Sequence, residues 1–164
     1  MLTRLEKTLY RLEAQHACLK WAFDEIASMT GVVFEMGLGH GRTFDHLRRH
    51  LPDREIYVFD RAMNAYPDCA PDDAYLILGE VEKTLPAAAE RFRGQVVLAH
   101  SDIGSFDRDH NRRTAAMLSP LLAPALAPNA IVLSDLELEL EGCSTLPLPP
   151  GAREDRYHIY RRHS

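Results

Sequence analysis

Gly31-Val32-Val33-Phe34-Glu35-Met36-Gly37-Leu38-Gly39-His40-Gly41-Arg42-Thr43 holds an apolar run, an acid and three glycines at alternate positions. Val32 to Phe34 has the character of a buried parallel strand. Glu35 stands where that strand should end. After the glycines, Phe44, Leu47 and Leu51 recur at helical spacing. Strand, glycine turn and helix is the opening of a nucleotide-binding α/β unit. Glycine lets the backbone turn tightly and lets a ligand approach where a Cβ would collide. The helix N-terminus behind the turn offers free N–H groups and positive partial charge.

Two ligands compete for such a turn, beside the plain reading of a turn that binds nothing. A dinucleotide site prefers G-x-G-x-x-G, and its third glycine would fall on Arg42. The actual spacing, Glu35-x-Gly37-x-Gly39-x-Gly41, resembles the first motif of the class I S-adenosylmethionine (SAM) methyltransferases. A carboxylate suits the ammonium of SAM and would repel a pyrophosphate. The resemblance implies Glu35 near the methionyl amine, with Gly37, Gly39, His40, Gly41 and Thr43 against the methionyl and ribose parts. Arg42-Thr43-Phe44-Asp45-His46-Leu47 also looks like a small bacterial family of SAM methyltransferases of unassigned substrate.

Working outward, Glu55 to Asp60 reads as a second strand that ends in an acid. Asp60 is placed to accept hydrogen bonds from both ribose hydroxyls, with Arg61 beside it. A helix-capping aspartate is its structural alternative. Ala74 to Gly79 is a third strand. In the resemblance the loop after it borders the adenine, which makes Gly79, Glu80 and Val81 candidates. Thr84 reads as the cap of a helix with Pro86 in its first turn. Gln95 to Ala99 is a fourth strand, followed by His100-Ser101-Asp102 at the crevice end of the sheet. His100 and Ser101 are candidates to border the cofactor. Asp102 and His100 are the candidate bases for a protonated acceptor. Asp107 to Ala127 is helical, broken or restarted at Ser119-Pro120. Ala130 to Leu133 is a fifth strand, Glu137 to Glu141 alternates like a sixth, and Arg156 to Arg161 reads as the last.

The resemblance covers the whole chain and implies a Rossmann-like, doubly wound α/β sheet of order 3-2-1-4-5-7-6 with its last strand antiparallel. One domain, 1–164, is expected, with a helical segment over 1–30 and the core over 31–164. The chain of 164 residues is long enough for one full core. Implied cofactors are SAM and its product S-adenosylhomocysteine (SAH). No Asn/Asp-Pro-Pro-Tyr follows strand four, which disfavours exocyclic amino methylation of DNA bases. With no added substrate domain, a small-molecule acceptor is expected. A non-catalytic SAM-binding sensor or scaffold, or an NAD-dependent oxidoreductase, are the alternative functions.

Net charge of −5 weighs against nucleic acid as a partner. Cys18, Cys69 and Cys143 lie far apart with no C-x-x-C, so neither a disulfide framework nor zinc is indicated. His46 and His50 share a helix face but lack a third ligand, and a solvated face is the simpler reading. Met1 to Leu12 is no signal peptide, no apolar run reaches membrane-spanning length, and a reducing cytoplasm is the expected setting. Leu2, Leu5, Leu9, Leu12, His16, Leu19, Phe23 and Ile26 form a helical stripe, on one helix or on two broken near Ala14–Ala17. That stripe either covers the sheet or joins a homodimer as a coiled-coil-like seam.

Overall fold

The computed structural model describes residues 1–164. Its seven strands form one sheet of order β3-β2-β1-β4-β5-β7-β6. They are β1 (Val32–Met36), β2 (Ile56–Asp60), β3 (Leu76–Leu78), β4 (Val96–Ser101), β5 (Leu126–Ser134), β6 (Cys143–Leu146) and β7 (His158–Arg162). β1 to β5 pair in parallel, and β7 runs antiparallel to both β5 and β6. This is the Rossmann-like order that the sequence resemblance implies. The helices are α1 (Arg4–Glu25), α2 (Arg42–His50), α3 (Val81–Arg91) and α4 (Arg108–Leu122).

The N-terminal segment is one helix. A capping box starts it: Glu6 N donates to Thr3 Oγ1, and Thr3 N donates to Glu6 Oε2. Only the C-terminal part of the leucine stripe, Leu19 and Ile26, belongs to the core face. Leu5, Leu9 and Leu12 are exposed, whereas Ala14, Gln15, Cys18, Leu19, Ala22 and Ile26 are buried. Small side chains at 14, 18 and 22 let the helix lie close on the sheet, and larger ones would hold it off.

Several boundaries differ from the sequence expectation for local reasons. β4 runs on to Ser101, so His100 and Ser101 are strand residues and fully buried. α3 starts at Val81 with Glu80 as its cap, and Thr84 Oγ1 instead donates to Glu80 O. α4 passes through Pro120 without a break; Pro120 is exposed there and Ser119 Oγ donates to Ala115 O. Glu137 to Glu141 alternates in burial as a strand would but pairs with none. Its backbone is satisfied by side chains: Leu138 N donates to Tyr160 Oη (2.7 Å) and Glu139 N to Ser119 Oγ (3.1 Å). Gly142, at φ 72°, then turns the chain into β6.

Strand register brings distant polar residues level. Glu35 of β1 lies beside His100 of β4, and Met36 beside Ser101. Glu35, His100 and, one pleat further, Asp102 therefore share one face of the sheet, the face that α1 covers.

Candidate active site

A cleft of about 1040 Å³ opens along the C-terminal ends of β1, β2, β3 and β4. The glycine turn forms its floor. A Cβ on Gly37 would sit 2.7 Å from Asp102 O, and one on Gly41 2.5 Å from Cys69 O. Both are glycine because the protein itself crowds them, and both have positive φ. Gly39 also has a positive φ (52°), but nothing lies within 4 Å of the place its Cβ would take. It is the glycine that leaves open space above the turn.

Asp60 ends β2 at the edge of this floor. Its Oδ2 accepts from Leu38 N (2.9 Å) and Gly39 N (3.0 Å), and its Oδ1 accepts from Arg61 N (2.6 Å). The carboxylate thus fixes the glycine turn while standing on the cleft wall. Gly79, Glu80 and Val81 line the end beyond β3, and Arg113, Thr114 and Met117 of α4 line the cleft too. Arg61, His40 and Thr43 line it as well. His40 stacks on Tyr66, ring centroids 5.1 Å apart.

At the other end, Asp102 stands between the turn and α1. Arg11 Nη1 donates to both of its oxygens (3.0 and 2.9 Å), and Gln15 Nε2 donates to Oδ2 (3.1 Å). Gln15 Nε2 also donates to Tyr157 Oη (3.0 Å), which meets His100 Nε2 at 2.5 Å. His100 Nδ1 in turn lies 2.9 Å from Glu35 Oε2. A continuous polar chain, Glu35–His100–Tyr157–Gln15–Asp102–Arg11, therefore runs from the buried sheet to the cleft. Burial raises the Glu35 carboxyl. Burial pulls His100 down, but the Glu35 carboxylate outweighs it and the imidazole is raised. Next to Asp102, Asp135 is raised to about 6, first by burial and then by the charge of Asp102. Its Oδ2 accepts from Gly104 N (2.8 Å), while Oδ1 has no partner.

Of the residues singled out in the sequence, Gly37, Gly39, His40, Thr43, Asp60, Arg61, Gly79, Glu80, Val81 and Asp102 meet in the cleft. Glu35, Gly41, His100 and Ser101 do not line it. Glu35 lies behind the wall with its carboxylate on His100, so it is not placed at a ligand's amine. His100 does not reach the cleft either: its side chain is fully buried between Glu35 and Tyr157. Ser101 points to the opposite face, with Oγ buried and unpartnered. Arg11, Gln15 and Tyr157 were not foreseen. The signal for Gln15 was a polar residue on the small-residue face Ala14, Cys18, Ala22, hidden by the louder leucine stripe. His46 and His50 share a face as expected, with His50 exposed and His46 half-buried, and their rings also stack with neighbours. Their rings are 4.2 Å apart, with His16 against His46 and Phe23 against both.

Comparison with known proteins identifies the family. Residues 2–162 match the model of a family described as S-adenosyl-L-methionine methyltransferase. A crystal structure of an S-adenosyl-L-methionine methyltransferase from Silicibacter pomeroyi is 46% identical, covers 99% of each chain and superposes with a TM-score of 0.95. A 16S rRNA adenine methyltransferase from Catenulisporales acidiphilia, solved with its cosubstrate SAM, shares the fold at 13% identity, 87% of each chain and TM-score 0.51. The antibiotic-resistance methyltransferase Kmr does so at 12% identity, over 100% of this chain and 94% of its own, with TM-score 0.50. Among curated proteins nothing matches. The chain belongs to the S-adenosyl-L-methionine methyltransferase family.

Proposed function

We propose that this SAM-dependent methyltransferase methylates a small-molecule acceptor at the Asp102 end of its cleft. The observation that carries the proposal is one cleft joining the Asp60–Gly39 turn to an Asp102 held in place by Arg11 and Gln15. Its volume suits a cofactor and a small partner together. SAM fits the residues present: Gly39 leaves its upper face open, Asp60 offers a carboxylate to the ribose hydroxyls, and Gly79, Glu80 and Val81 flank the adenine. Thr43 and His40 border the methionyl part. When bound, SAM supplies an electrophilic methyl group on a sulfonium.

The protein's task is then alignment, water exclusion and proton removal. Alignment can be worth about 7–11 kcal/mol of barrier. Asp102 is the candidate base. Arg11 holds both of its oxygens, and the hydrogen bond from Gln15 fixes its direction. Glu35, His100 and Tyr157 act through Gln15 and not on the acceptor. We place the protein in the cytoplasm, in keeping with its free cysteines; no helix of the chain is long and apolar enough to cross a membrane. The net charge of −5 favours a small acceptor over nucleic acid. A homodimer through the exposed Leu5, Leu9 and Leu12 of α1 fits the apolar face left outside the core.

The deciding experiment compares binding with turnover. Asp102→Ala should keep SAH affinity within about threefold, since no cofactor bond depends on it, and should lose methyl transfer to any acceptor found by metabolite screening. A loss of SAH affinity of about a hundredfold would instead put Asp102 at the cofactor.

A further inference from the structure

Gln15 is more than nine-tenths buried yet forms part of the cleft wall. Both hydrogen bonds of its amide to well-placed oxygens leave from Nε2, to Asp102 Oδ2 (3.1 Å) and Tyr157 Oη (3.0 Å). Its Oε1 accepts no hydrogen bond from the protein, and it is not among the atoms sealed without a partner. It therefore opens on the cleft. The amide cannot turn over. A reversed amide would set Oε1 against a carboxylate oxygen, two acceptors facing at hydrogen-bond distance. The acceptor end thus presents two neighbouring hydrogen-bond acceptors, Gln15 Oε1 and the carboxylate of Asp102.

We propose that Gln15 sets the acceptor's chemical class, selecting a nitrogen nucleophile with two N–H groups, a primary amine. This rests on the methyl-transfer reading of the cleft given above. One N–H of the amine donates to Gln15 Oε1 and the other to Asp102. The remaining direction on a tetrahedral nitrogen carries the lone pair, free to meet the methyl group. Paired with Arg11, Asp102 adds no net negative charge that would hold the amine as ammonium, and the neutral amine with its lone pair is the form that reacts. The nitrogen lone pair forms the N–C bond as the C–S bond breaks, its electron pair passing to sulfur to leave SAH. The N–H proton passes to Asp102, and the product is the secondary amine. A hydroxyl has one proton and cannot serve both acceptors. A carboxylate has none and meets two acceptors.

The test uses the full chain loaded with SAH and a panel of small primary amines, with alcohols and carboxylates of the same carbon skeletons, read by ligand-observed NMR. Amines should bind in preference to their alcohol and carboxylate counterparts. Gln15→Met keeps the volume but removes both polar atoms, and should weaken amine binding about tenfold or more. Gln15→Asn keeps both the amide donor and the acceptor oxygen, one methylene shorter, and should weaken amine binding less than Gln15→Met does. A merely structural role would weaken both variants alike. SAH affinity, measured by calorimetry, should be equal in all three proteins. Equal binding of alcohols, no binding of any amine, or unchanged amine affinity in Gln15→Met overturns the proposal. Failure of the wild-type protein to bind SAH would overturn the underlying reading instead.

Discussion

Replacing Asp60 by alanine removes three backbone contacts with one side chain. Leu38 N and Gly39 N lose Oδ2, and Arg61 N loses Oδ1. These are charge-assisted bonds at the rim of the cleft, and a hydrogen bond to a charged group contributes about 1.5–3 kcal/mol. SAM is affected in two ways. In the proposed binding mode its ribose loses the carboxylate, which alone costs roughly ten- to a hundredfold in affinity. The glycine turn also loosens, and binding must then re-order it. Asp60→Ala should therefore weaken SAM and SAH together by at least about tenfold, because both carry the same ribose. Asp60→Asn should fall between. With its oxygen on Leu38 and Gly39, its Nδ2 must face the N–H of Arg61. Calorimetry of each protein with both ligands measures this, and amide exchange at Leu38 and Gly39 reports the turn. Unchanged affinity for both ligands in a folded Asp60→Ala protein would refute the reasoning. So would a loss confined to SAM, since the sulfonium lies nowhere in the argument.

Gly39→Val, strained at φ 52°, should fold with a lowered melting temperature and fail to bind SAM, since its side chain would enter the open space above the turn; normal calorimetric binding would show that this space is not the cofactor's. Gly37→Ala should instead lower the melting temperature, because its Cβ would lie 2.7 Å from Asp102 O at φ 95°, and an unchanged melting curve would count against that contact. Asp135→Asn should stabilise the protein at pH 7.5 but not at pH 4. The raised carboxyl, at about 6, contributes its stability below the unfolded value near 4 and loses it as pH rises through 6. Paired melting curves across that window check the sign, and a pH-independent difference would remove the assignment. Light scattering should give a dimer mass for the wild type and a monomer for Leu5→Glu/Leu9→Glu; a monomeric wild type at high concentration would end the α1 pairing idea.

The parts of the fold that were legible in sequence are those that local chemistry dictates. Val32 to Phe34 followed by alternating glycines admits few alternatives, and the acid at the end of β2 fell where the crevice needs it. What was not legible depends on strand length and pleat. Had β4 stopped at Ala99, His100 would have been a loop residue free to meet an acceptor. Two further residues pair with both β1 and β5, and that keeps His100 inside the sheet. Once inside, parity decides everything: His100 and Asp102 share a face and Ser101 takes the other. Glu35, read as the ligand's partner, meets His100 because the register brings them level, 65 positions apart in sequence. No local pattern encodes such a register.

The second thing hidden was which face of α1 counts. Leucine at 5, 9 and 12 has the spacing of a core stripe, and hydrophobic spacing alone cannot tell a core from an exposed seam. Size decides here. A helix crossing the ends of strands at close range needs small residues at the contact, and Ala14, Cys18 and Ala22 supply them. Close approach then has a chemical consequence: it brings Arg11 and Gln15 within hydrogen-bond distance of Asp102. The sheet by itself provides a cofactor shelf and a carboxylate. The helix turns that carboxylate into a directed group and adds an acceptor oxygen beside it. Substitutions that enlarge the small-residue face, such as Cys18→Leu, would lift α1 and separate these two ends. They would spare the glycine turn and Asp60, so cofactor affinity should survive in a protein that no longer holds its acceptor.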